Sequence, residues 1–152
     1  MQPKLTPHNS DFDNAVRASF ARQRAMETLG ARITRVEAGA VDIEFDYRED
    51  LTQQHGFIHA GILSTVLDSA CGYAAFSLMP PEAAVLTVEF KINLLSPAQG
   101  ERFRAAGVVK KSGRTITVAE GEMIAISGDQ EKCIATMTGT LMTVIDRAGV
   151  EG

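Results

Sequence analysis

Apolar and polar positions change period several times along the chain, and each change predicts an element. Phe12, Val16 and Phe20 recur at four-residue spacing after Ser10, Asp11 and Asp13, residues that suit the positive end of a helix dipole, and Gly30 closes the run. One N-terminal helix between Ser10 and Gly30, packed on the domain, is expected. Residues 31 to 47 read as ARITRVEA and AVDIEFDY about a turn at Gly39, with Val41, Ile43 and Phe45 alternating with Asp42, Glu44 and Asp46. A period of two predicts a half-buried hairpin. After a polar loop the chain becomes almost wholly apolar, ILSTVLDSACGYAA from Ile62 to Ala75. This predicts a central helix from His59 to Leu78, stopped by Pro80 and Pro81.

The remainder reads as strand. Leu86, Val88, Phe90, Ile92 and Leu94 are expected on one face, opposite Thr87, Glu89, Lys91 and Asn93. Further strands are expected over 101–110, 114–126 and 133–145, with turns at Ser112-Gly113 and at Ser127-Gly128-Asp129. Six strands joined by short turns, with one long apolar helix, predict an α+β fold whose antiparallel sheet carries the helix across one face. The chain of 152 residues, 45% hydrophobic, suffices for one full core. It divides into a tail and helix (1–30), a main domain (31–146) and a C-terminal tail (147–152).

Charge narrows the partners. A formal charge of -4 gives no general attraction to nucleic acid, so an anionic ligand needs a local basic patch. No apolar run approaches the roughly 20 residues of a membrane helix, and MQPKLTPHNS lacks the apolar core of a signal peptide, so a cytoplasmic protein with no membrane partner is expected. Cys71 and Cys133 form no CxxC and have no His cluster near them, so they are expected to be reduced packing residues and no metal site is expected.

Asp68 stands alone as the charge in the central helix, nine residues after His59 in the run His59-Ala60-Gly61. That spacing, the element order, the strand TVEFKINLLSPAQG and the turn KKSGR resemble the PaaI-like acyl-CoA thioesterases of the hotdog fold, whose signature is His-Gly-Gly-x6-Asp. The resemblance implies hydrolysis of an acyl-CoA thioester, with no cofactor beyond the coenzyme A of the substrate. It implies that Asp68 is the general base or nucleophile, that the Gln53 amide and the Ala60 N–H face the thioester carbonyl, and that Thr87 orients the water. Ala60 replaces the family's first Gly; its N–H survives, but a Cβ stands where the thioester approaches. His59 fits a residue that fixes the opening turn of the helix, and His55-Gly56 a loop element.

The chemistry stands apart from the resemblance. Thioester hydrolysis builds negative charge on the carbonyl oxygen, and a fixed donor there is worth roughly 3 to 4 kcal/mol. The helix start supplies such donors at Ala60 and Gly61. Burial should push the Asp68 carboxyl up toward the operating pH. Yet Ala60 and Asp68 lie eight residues apart, about 12 Å along one helix, so a single helix cannot bring both to one carbon. Two antiparallel copies about a two-fold axis can, and Ser64, Ala70 and Gly72 are small enough to let them approach. Hotdog proteins pair in this way, which implies a homodimer and, beyond it, a dimer of dimers.

Phe57, Ile58, Tyr73, Phe76 and Met79 are candidates for an apolar acyl pocket, for which aromatic and medium-chain groups both fit. Lys110, Lys111 and Arg114 around Ser112 and Gly113 are candidates for the phosphates of coenzyme A. Two alternatives stay open on the same scaffold, a non-hydrolytic acyl-CoA binding protein and a hydratase or dehydratase using a His. The spacing from His59 to Asp68 fits the thioesterase pattern better, and no GxSxG elbow supports serine chemistry.

Overall fold

Six strands form one antiparallel sheet: β1 (Arg32–Glu37), β2 (Ala40–Asp46), β3 (Ala84–Leu94), β4 (Arg102–Ser112), β5 (Ile116–Ser127) and β6 (Gln130–Val144), in the order β1-β2-β4-β5-β6-β3. The computed structural model describes residues 4–152, and the first residues of the N-terminal tail, 1–3, lie outside them. The central helix α3 (Ala60–Phe76) crosses one face of the sheet, and its Leu67, Ala70 and Ala74 are buried with Phe45, Phe103, Met123 and Leu141. This is the antiparallel sheet and helix that the periodicity predicts. Among the described residues, no helix is long and apolar enough to cross a membrane.

Two glycines let the helix lie so close. Gly107 of β4 pairs with Gly121 of β5, and a Cβ at Gly107 would come within 2.5 Å of the Ala70 backbone. At Gly121 a Cβ would meet Cys71 Sγ and Leu67 Cδ2 at 3.0 Å. Ala70 itself is fully buried within the chain, which corrects its expected place between two helices.

The N-terminal helix is two helices, α1 (Phe12–Ala21) and α2 (Arg24–Leu29). Between them Gln23 adopts an extended backbone, φ -82° and ψ 96°, which turns its side chain onto α3. Gly30 ends α2 in the left-handed region at φ 66°, as its position after the run predicts.

In β3 the regular alternation fails. Thr87 pairs with Leu141 and Glu89 with Thr140, so Val88 is an extra residue in a bulge. The bulge reverses the facing beyond it: Thr87, Phe90, Ile92 and Leu94 share the helix side, while Leu86, Glu89 and Lys91 face away. The expected single apolar face running from Leu86 to Leu94 does not exist.

Candidate active site

Helix α3 begins at a side-chain cap. His59 takes an extended backbone and its Nδ1 accepts the Gly61 N–H at 2.8 Å, so the imidazole is committed to the opening turn. The Gly61 N–H is thereby occupied. Among the described residues the Ala60 N–H has no acceptor, so it is the donor at this helix start that remains for a ligand.

Residues 52–58 bring Gln53 to the same place. The Gln53 N–H donates to Phe57 O at 2.8 Å, the Gly56 N–H donates to Gln53 O at 3.0 Å, and Gly56 sits at φ 82°, a conformation that favours glycine. Gln53 Oε1 accepts the His55 N–H, which leaves the side-chain Nε2 to donate elsewhere. Gln53, Phe57, Ile58, Ala60 and Leu94 line one cavity of about 460 Å³.

Asp68 belongs to a different cavity of about 300 Å³, shared with Gly72, Tyr73, Phe76, Val85 and Thr87. Thr87 Oγ1 donates to Asp68 Oδ1 at 2.8 Å, a contact possible because the bulge keeps Thr87 on the helix side. Burial raises the Asp68 pKa above the ordinary carboxylate value, and the Thr87 hydrogen bond works against it. Cys71, one turn from Leu67, is pushed up to about 12, first by burial and then by Asp68 and Glu120, so it is a neutral packing thiol.

The expected site residues therefore fall into two half-sites within one chain, Gln53 with Ala60 and Asp68 with Thr87. The expected acyl residues divide too: Phe57 and Ile58 line the first cavity, Tyr73 and Phe76 the second. Met79 joins neither; it lies with Ser112, Gly113 and Arg114 in a third cavity beyond the C-terminal end of α3. In that turn the Gly113 N–H closes on Ile116 O at 2.9 Å, Lys111 and Arg114 are exposed, and Lys110 pairs with Glu120 at 2.9 Å. Among the described residues no cluster of His, Cys, Asp and Glu could hold a metal.

Seven lining residues of the Asp68 cavity escape sequence reading: Ser19, Arg22 and Gln23 of the N-terminal segment, Ser69 of α3, Val85 of β3, and Glu151 and Gly152 of the C-terminal tail. A signal for Gln23 is present in the chain. The apolar spacing of Phe12, Val16 and Phe20 reaches Arg24, then restarts in a new phase at Met26 and Leu29.

Known proteins share this fold. A crystal structure of a thioesterase family protein from Silicibacter pomeroyi is 60% identical, with TM-score 0.87, covering 88% of this chain and 98% of that one. The Escherichia coli PaaI protein from the phenylacetic acid degradation operon shares the fold at TM-score 0.80 and 20% identity, covering 95% of this chain and 98% of its own. A 1,4-dihydroxy-2-naphthoyl-CoA hydrolase of Listeria monocytogenes is 27% identical over 74% of this chain and 90% of its own length. The family model of the thioesterase superfamily matches residues 55–132, a span that contains the His59 cap, Asp68 and Thr87. With its hotdog sheet and helix, the chain belongs to the thioesterase superfamily and is a thioester hydrolase.

Proposed function

We propose that the chain hydrolyses acyl-CoA thioesters as a two-fold dimer, each active site using Asp68 and Thr87 of one protomer with the partner's Gln53 and Ala60. The observation that carries this is the separation of the two half-sites into different cavities of one chain. Neither half alone has both a base and an oxyanion donor. The edge of the sheet supports a second copy as the missing piece. Among the described residues strand β3 pairs with β6 alone, and beside its other edge Val88 is 56%, Phe90 42%, Leu94 53% and Leu95 57% exposed. A long apolar edge invites another strand. An isologous two-fold would lay β3 on β3 and bring the start of one α3 to the middle of the other.

In this reading one Asp68 oxygen is held by Thr87, and the other takes a proton from water as the water oxygen bonds to the thioester carbon. The charge that forms on the carbonyl oxygen is met by the partner's Ala60 N–H and Gln53 Nε2. The C–S bond then breaks, the CoA thiolate leaves and gains a proton, and the acyl group departs as a carboxylic acid. The test is thiol release from a panel of acyl-CoA esters by the purified chain. Release that disappears in Asp68→Asn supports the reading, and no release from any CoA ester contradicts it.

A further inference from the structure

The cavity beneath Asp68 has a wall that the hydrolytic step does not use. Gly72 lies four residues after Asp68, hence on the same helical face, and beyond its own stretch of helix backbone a Cβ there would meet no heavy atom within 4 Å. Glycine inside a helix is less stable than alanine, and at Gly72 no neighbouring element forbids alanine. What the missing side chain supplies is room. Opposite, Gln23 spans two positions on α3: Ser69 Oγ donates to Gln23 Oε1 at 2.8 Å, and Gln23 Nε2 donates to the Tyr73 hydroxyl at 3.5 Å. The break between α1 and α2 exists at the residue that makes these contacts, so the N-terminal segment is pinned as the far wall. Phe20 packs edge-on to Tyr73 at 6.0 Å behind it.

We propose that Gly72 and Gln23 set the size of the acyl group, Gly72 as the open floor of the acyl cavity and Gln23 as the positioning residue of its far wall. A cleft of about 300 Å³ has room for a compact acyl group such as a medium chain or a single ring. This inference rests on the acyl-CoA thioesterase reading.

The experiment measures kcat/KM for acetyl- through dodecanoyl-CoA and for benzoyl-CoA with the wild-type chain, Gly72→Leu, Gly72→Ala and Gln23→Ala. A side chain at position 72 should move the cut-off to shorter acyl groups, so that the ratio of octanoyl to butyryl turnover falls about tenfold or more in Gly72→Leu, the usual scale for refusing added methylenes. Gly72→Ala, which enters open space and favours the helix, should shift the ratio the same way by less and keeps the test alive if Leu disturbs folding. Gln23→Ala should shift the cut-off the other way, toward longer acyl groups. A chain-length profile that keeps its shape in the Gly72 and Gln23 variants, whatever their overall rate, overturns the assignment alone. A wild-type chain that releases no thiol from any of these esters overturns the thioesterase reading, and the assignment with it.

Discussion

Thr87 of the edge strand donates its hydroxyl to Asp68 of the central helix at 2.8 Å, the one side-chain hydrogen bond that the half-buried carboxylate makes among the described residues. Burial and Thr87 pull the Asp68 pKa in opposite directions, and burial is the larger cause. The acid limb of kcat/KM against pH should therefore fall at an apparent pKa above the ordinary aspartate value of about 3.9. Thr87→Val removes the influence that lowers the pKa, so the acid limb should move to higher pH. A limb that stays in place or moves down would mean that Thr87 does not tune Asp68.

Asp68→Asn should lower kcat by about two orders of magnitude or more, the scale of losing a general base. Its effect on stability has a definite sign. Because the folded-state pKa of Asp68 is raised, its ionisation weakens the fold: the penalty is absent below the unfolded pKa, grows as pH rises above it and is complete once pH has passed the folded pKa. Asparagine cannot ionise and can still accept from Thr87, so at neutral pH the variant should melt no lower than the wild type. Near-native turnover, or a clear drop in Tm at pH 7, contradicts the assigned role.

Gly107→Ala tests how closely α3 lies on the sheet. The added Cβ would stand 2.5 Å from the Ala70 backbone, which has no flexible end to yield. Overpacking of this kind costs about 1–3 kcal/mol, and chemical denaturation should read that loss. An unchanged midpoint would show that the helix sits farther away.

Lys111 and Arg114 are exposed on the β4–β5 turn. We propose that they receive the phosphates of coenzyme A, contacts remote from the carbonyl that bind ground and transition states alike. Replacing both with Ala should raise KM for CoA esters and leave kcat nearly constant. An unchanged KM places the nucleotide elsewhere.

Much of this was legible in the sequence, and the failures share a cause. The hairpin at Gly39, the helix after His59 and the turns at Gly113 and Gly128 follow from periodicity and turn chemistry, which are local. The β3 bulge was not legible, since the alternation from Leu86 to Leu94 is regular and only pairing with Leu141 and Thr140 of β6 shows the added residue. Ala70 was misplaced for a similar reason: a small helical residue marks a close approach without saying to what. The Gly61 N–H looked as useful as that of Ala60 until the His59 side chain was seen to occupy it. Gln23 had a signal in its phase break, but its purpose depends on Ser69 and Tyr73, far along the chain.

The shared active site is the central claim, and mixing two damaged chains tests it most directly. Gln53→Ala and Asp68→Asn should each be poor as homodimers. If Gln53 serves the Asp68 of its partner, a mixed dimer holds one intact site and one doubly damaged site. Random pairing makes about half the dimers mixed, so an equimolar mixture should recover roughly a quarter of native activity once native mass spectrometry of tagged chains shows that subunits have exchanged. No recovery despite proven exchange would contradict the shared site, because a site built within one chain carries a single lesion in every dimer of the mixture.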